Sequence, residues 1–283
     1  MILITGSGLL GKDMIRVLSR DFGEAVGTYS SRQKDGAIRL DVTDRDGTMK
    51  SIARLGPEIV VHTAAQANVD YCEDHRDEAM AVNADGTRNI VDAARAVGSK
   101  VVYISTDFVF DGMKGMYRED DPVNPVSIYA YTKLLGEYYA KDGPGHIIAR
   151  TSVIYGDARQ NFVSWVKGSL ENGQKISVFT DQYNSPTFSA DCAEAVSALI
   201  RNDVSGIFHT AGAERISRYE FARKIALFYG LNDGLIEPVT TDMLKQKARR
   251  PADSSLDVGK VGAYHKMLNI MDGLKMMEDG KCS

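Results

Sequence analysis

The sequence is poor in tryptophan, cysteine, histidine and proline: one, three, five and seven among 283 residues. Cys72, Cys192 and Cys282 are odd in number, far apart and without CxxC spacing. That leaves no disulfide framework and fits a reducing compartment. His62, His75, His146, His209 and His265 never fall at ligand spacing, so no metal site is expected. No apolar run approaches the roughly 18 residues of a membrane span. An excess of basic residues is lacking too. The formal charge of −4 argues against a nucleic-acid surface, which needs a clustered basic stripe. The opening MILITGSG has no charged n-region, long apolar stretch or small-residue cleavage site. It reads as a strand rather than a secretory leader, and the expected location is the cytoplasm.

With 43% apolar and 25% charged residues, the chain has the makeup of a globular α/β protein. Strands are expected at Ile2–Thr5, Ala25–Tyr29, Ile59–His62, Val101–Ser105 and Ile147–Arg150. Helical patterns lie between them at Leu10–Arg20, Asp44–Arg54, Ala79–Val97 and Ser127–Lys141. Such alternation predicts βαβ units in a doubly wound parallel sheet of Rossmann type, its all-apolar strands covered on both faces. Beyond Arg150 the rhythm loosens. Helices near Phe162–Glu171, Asp191–Arg201 and Ser217–Tyr229 are expected, with strands at Lys175–Phe179 and Gly206–His209. Ser217 and Glu220 form a capping-box pair. The Met-rich stretch 267–277 reads as core packing. The acidic runs Glu73–Glu78 and Glu119–Asp121 read as solvated faces with no assigned role. The length allows one large α/β domain, or a large domain over 1–155 with returning segments near 188–209 and a small one over 156–187 and 210–283.

Gly6-Ser7-Gly8-Leu9-Leu10-Gly11 directly follows the first strand and opens a helix. Glycines there permit a tight turn and let a pyrophosphate approach backbone N–H groups at the helix N-terminus. The second strand closes in Tyr29-Ser30-Ser31-Arg32, without the carboxylate that commonly holds a ribose 2′-hydroxyl. Hydroxyls and an arginine favour a 2′-phosphate, hence NADPH, with NADH as the alternative and Arg32 as a plain loop cation if so.

Tyr129 and Lys133 are four apart in SIYAYTKLLGE, so both project from one helix face about 6 Å apart along the axis. An ammonium beside a phenol favours the phenolate and draws its pKa toward the working range. Tyr131 lacks the four-residue relation. The preceding strand ends Ser105-Thr106-Asp107-Phe108, at the carboxyl edge where ligands bind, and a hydroxyl there can hold a substrate carbonyl. Thr106 and Asp107 can equally close a strand as a turn motif.

Taken in order, the glycine loop, STDFVFDG, Tyr129-x-x-x-Lys133, Arg150-Thr-Ser-Val-Ile-Tyr155-Gly156, Asp181-Gln182 with Ser185-Pro186-Thr187, and Arg250-Pro251 with Ser255-Leu256-Asp257 resemble the extended short-chain dehydrogenases. Within that group the set is most similar to the dTDP-4-dehydrorhamnose reductase family, from Met1 to about Asp257. The resemblance implies a catalytic set of Thr106, Tyr129 and Lys133. It implies a cofactor lining that includes Gly8, Leu9, Leu10, Arg32, Asp41, Val42, Ala64 and Ala65, with Asp41-Val42 by the adenine. Under that reading Asp107, Asn161, Gln182, Thr187 and Arg250 are candidates for the sugar nucleotide, Arg250 being suited to its diphosphate. Two departures stand out. The glycine loop is one residue shorter than usual for extended members, and Val153 stands where rhamnose-forming enzymes often carry a tryptophan.

The activity implied is NADPH-dependent reduction of a 4-keto nucleoside-diphospho-6-deoxysugar. Two rivals stay open: an epimerase that keeps NAD bound, and a non-catalytic subunit like the β-subunit of methionine adenosyltransferase. A homodimer is compatible with the sequence.

Overall fold

Runs such as Val101-Val102-Tyr103-Ile104 are set in strands by β-branched and aromatic side chains that fit a pleated, buried surface. The computed structural model describes residues 1–31, 33, 35–158 and 161–280. Strands β1 (Ile2–Thr5), β2 (Ala25–Tyr29), β3 (Ile38–Arg39), β4 (Ile59–His62), β5 (Lys100–Thr106), β6 (Ile147–Thr151) and β7 (Gly206–His209) form one sheet. Its order is β7-β6-β5-β4-β1-β2-β3, and every neighbouring pair is parallel. The order reverses about β1, so a crevice opens between the carboxyl ends of β1 and β4, where ligands bind in open α/β sheets.

The helices are α1 (Leu9–Phe22), α2 (Arg45–Leu55), α3 (Gly86–Val97), α4 (Ile128–Lys141), α5 (Phe162–Glu171), α6 (Ser189–Arg201), α7 (Arg218–Tyr229) and α8 (Ile270–Asp279), with short helical segments at Val69–Asp74 and Arg76–Met80. Alternate strand residues serve opposite faces. Ile2, Ile4, Val61 and Val102 pack with Met14 and Leu18 of α1 and Val196 and Leu199 of α6. Leu3, Val60 and Val101 pack with Ile52 of α2 and Ile90 and Ala94 of α3. The doubly wound α/β fold expected from the strand pattern is the one adopted.

A second core gathers Val166 and Leu170 of α5, Phe221 and Ile225 of α7, and Leu274 of α8 around Tyr155. Its small sheet pairs Ile176–Phe179 in parallel with Ile236–Val239. The latter strand, like β3, gives too short a pattern to be anticipated. Met267 and Met277 are buried in the two cores, as their spacing suggests. Ser217 and Glu220 form the expected capping box at the start of α7.

Two expectations are corrected. The acidic runs do more than face solvent: Glu73 accepts the Ile128 N–H at the start of α4, and Glu119 accepts that of His209. The single helix expected over Ala79–Val97 is interrupted by a π-turn at Ala81–Asp85. Inside that turn the buried Asn83 accepts from the Gln66 N–H, and its amide donates to the Gln66 carbonyl and to Thr132 Oγ1 of α4. These bonds account for the widened turn and fix the loop after β4. Asn83→Ala leaves the part-buried Gln66 N–H without its side-chain acceptor, at a cost of about 1–3 kcal/mol. Urea unfolding of the variant against Asn89→Ala, whose amide serves only the Val42 carbonyl, checks this.

Candidate active site

Only Gly6, Ser7 and Gly8 separate β1 from α1. Gly6 sits at φ +94°, a region L side chains rarely adopt, and a Cβ there would lie 3.0 Å from Thr63 Oγ1. A Cβ on Gly11 would lie 2.3 Å from the Gly6 carbonyl oxygen, so the helix meets the turn only with glycine at that position. The short loop is tied from below. The Gly6 N–H donates to Thr28 Oγ1, and Thr63 Oγ1 donates to the Thr5 carbonyl. Gly8 caps α1 with no side-chain hydrogen bond, and a Cβ on it would meet nothing within 4 Å. The first N–H groups of α1 therefore face open space with the dipole behind them, a cradle that fits a pyrophosphate.

That cradle is one end of a cavity of about 600 Å³. Gly6, Gly8, Leu9, Leu10, Gly11, Ser30, Asp41, Val42, Ala64 and Ala65 line it, and so do Thr106, Asp107, Tyr129 and Lys133 at the other end. Arg32 lies outside the described residues. Beneath the floor, His62 is fully buried between Thr5 Oγ1 and Thr87 Oγ1, at 2.5 and 3.0 Å. Burial, with the Lys133 charge adding to it, pushes this imidazole down to about 3, so it is neutral.

At the far end, α4 is started by Ser127, whose hydroxyl accepts the Ala130 N–H. The helix presents Tyr129 and Lys133 to the cavity, while Tyr131 points away and is 49% exposed. Lys133 Nζ donates to the Ile104 carbonyl at 2.7 Å and lies over the Tyr103 ring at 4.1 Å. Desolvation brings it down to about 7, against the pull of Glu137. Burial holds the Tyr129 hydroxyl above its ordinary value, partly offset by a hydrogen bond with Thr106. Desolvation is the largest influence on this hydroxyl, and Tyr129 is a protonated donor at neutral pH. Thr106 Oγ1 donates to Asp107, whose other carboxylate oxygen accepts from Ser152 and Ser254. Asp107 is 2% exposed; burial raises it, opposed by those hydroxyls and by the Arg218 charge.

Four candidates for the sugar nucleotide have their side chains engaged elsewhere, and none lines the cavity. Asn161 caps α5, accepting from Val163 and Ser164 N–H and donating to the Gly156 and Ala158 carbonyls. Gln182 donates to Thr241 and Gln246. Thr187 Oγ1 donates to the Ser185 carbonyl and accepts the Gly212 N–H. Arg250 is held by both oxygens of Asp70 at 2.6 and 2.9 Å, and by the Ala248 carbonyl. The structure thus does not bring these four to the cavity wall; each polar side chain is engaged in holding the surrounding backbone or side chains.

A residue not anticipated lines the cavity instead. Arg218, the first residue of α7, lines the cavity with its guanidinium over the Phe162 ring at 5.3 Å. Its backbone N–H is fixed by the Gln182 carbonyl. The available signal was an arginine in the first turn of a helix, where the dipole disfavours a cation.

A glycine turn at the switch point of a Rossmann sheet, sharing one cavity with a tyrosine–lysine pair and a strand-end threonine, defines a dinucleotide-binding protein of the extended short-chain dehydrogenase class. Residues 1–270 match the family model described as the RmlD substrate binding domain, and the chain belongs to that family. It is 34% identical over 238 residues to the dTDP-4-dehydrorhamnose reductase of Sinorhizobium fredii, covering 80% of each chain. It is 31% identical to methionine adenosyltransferase 2 subunit beta of Bos taurus, covering 92% of this chain and 81% of that one. The crystal structure of a dTDP-4-dehydrorhamnose reductase from Bacillus anthracis in complex with NADP superposes with a TM-score of 0.90 at 31% identity, over 99% of this chain and 98% of that one.

Proposed function

We propose that the protein is an NADPH-dependent reductase of the 4-keto group of a nucleoside-diphospho-6-deoxysugar, acting as a dTDP-4-dehydrorhamnose reductase. The observation that carries this reading is the shared cavity: the glycine cradle at one end and Thr106, Tyr129 and Lys133 at the other. The bound nicotinamide supplies the hydride. The Tyr129 hydroxyl, kept protonated by burial, donates its proton to the oxygen of the carbonyl being reduced. Thr106, anchored through Asp107, orients that oxygen. Lys133 holds the nicotinamide ribose, its position set by the Ile104 carbonyl. Ser30 at the cavity wall and the lack of a carboxylate closing β2 support NADPH over NADH. The same reading gives 1–155 and 188–209 to the cofactor, and 156–187 and 210–283 to the substrate. It also carries a cytoplasmic homodimer. Among the described residues no helix is long and apolar enough to cross a membrane.

Oxidation of NADPH, followed by loss of its absorbance, is expected with dTDP-4-keto-6-deoxysugars and more slowly with the UDP- and GDP-linked forms. NADH in place of NADPH should be used less well. Absence of turnover on all three, with stoichiometric binding to a methionine adenosyltransferase, would replace this reading by the subunit one that the bovine similarity supports.

A further inference from the structure

Apart from Lys133, Arg218 is the cation of the cavity wall among the described residues. Lys133 is committed to the Ile104 carbonyl and the Tyr103 ring. Arg250, whose charge made it the natural choice for a diphosphate, is bound on both prongs by Asp70. The Arg218 side chain makes no hydrogen bond or ion pair to any described residue; its company is the Phe162 ring and, at longer range, the Asp107 carboxylate and the Arg250 charge. The Phe162 ring is itself stacked on Phe221 of the second core at 5.2 Å, so the platform under the guanidinium is rigid.

This placement is costly. Arg218 occupies the first turn of α7, facing the positive end of the dipole, and is repelled by Arg250 as well. Desolvation in the cavity lowers it to about 10. An anion brought between the cavity wall and α7 would relieve all three penalties at once, and the five-donor fork suits paired phosphate oxygens.

We propose that Arg218 is the specificity residue for the diphosphate of the nucleotide-linked substrate, a role that rests on the reductase reading above. Its guanidinium donates to the diphosphate oxygens from its seat on Phe162, while the cofactor pyrophosphate lies at the glycine cradle at the other end of the cavity. Arg250 acts one step removed, anchoring residues 248–250 to the Val69–Asp74 helix.

The test is calorimetric titration of the NADPH-saturated protein with dTDP and dTMP, for the parent, Arg218→Gln and Arg218→Lys. The parent is expected to prefer dTDP. Arg218→Gln should weaken dTDP by roughly 10- to 150-fold, the worth of a charge-assisted contact, and abolish the preference over dTMP. Arg218→Lys, which keeps the charge and loses the fork, should fall between. In all three the affinity for NADPH alone should be the same. A dTDP preference that survives in Arg218→Gln overturns the assignment, as does a loss confined to NADPH. The two readings fail separately. A parent that binds dTDP through Arg218 yet reduces no keto-sugar refutes the reductase and leaves the anion site standing. A parent that turns over with dTDP affinity indifferent to Arg218 refutes only the role given to Arg218.

Discussion

Tyr129→Phe is expected to fold, to bind NADPH as the parent does, and to reduce keto-sugar about 10²–10⁴-fold more slowly, the usual contribution of a positioned proton donor. The ring packs edge-on to Phe108 at 6.2 Å, and the substitution keeps that contact. The matched control is Tyr131→Phe, which deletes the same atom from a half-exposed ring on another face of α4 and should leave the rate unchanged. Lys133→Met should differ from both, losing NADPH affinity along with turnover, because the ammonium placed by the Ile104 carbonyl is the group proposed to hold the nicotinamide ribose. Steady-state rates with each variant, alongside fluorescence titration of NADPH, separate the three. Parental turnover by Tyr129→Phe would remove the tyrosine from the mechanism.

The largest stability effect is expected a turn further along α4. Glu137 and Arg150 are 1% and 2% exposed and form an ion pair at 2.8 Å, with Ser105 Oγ donating to Glu137 at 2.6 Å. The pair stands directly behind the strand end that carries Thr106. Arg150 also lies over the Phe110 ring at 5.0 Å. Glu137→Gln leaves a buried guanidinium without its countercharge, at a cost of about 3–5 kcal/mol. Replacing both together, Glu137→Leu with Arg150→Met, should recover much of that loss, because no charge is then left in the core. Urea denaturation of Glu137→Leu, Arg150→Met and the double gives the coupling directly. A double variant whose loss of stability equals the sum of the two single losses would show that Arg150 and Glu137 act independently. The epimerase alternative predicts NAD retained through purification, which absorbance of the denatured protein would reveal.

The element pattern was legible because it is local. Short apolar strand runs gave β1, β2 and β4 at their observed limits, and Ser217 with Glu220 marked the start of α7. The glycine turn and the Tyr129–Lys133 spacing were readable for the same reason: both are short-range geometry, fixed by one turn or one helix. The sequence by itself therefore determined the doubly wound parallel class, most strands of the sheet and the motifs at the two ends of the cavity, while the strand order and its switch point came from the packed chain. What it could not determine was which polar side chains remain free. Asn161 is spent on nearby backbone and Thr187 on backbone 2 and 25 residues away, but Gln182 and Arg250 are taken by groups 59 to 180 residues away, Thr241 and Gln246 for one and Asp70 for the other. Arg218 is left open by the same accounting. Local sequence sets where a side chain starts, and only the packed chain decides what it meets. The tertiary structure thus moved the free cation from Arg250 to Arg218, and its burial of Tyr129 made desolvation the largest influence on that hydroxyl.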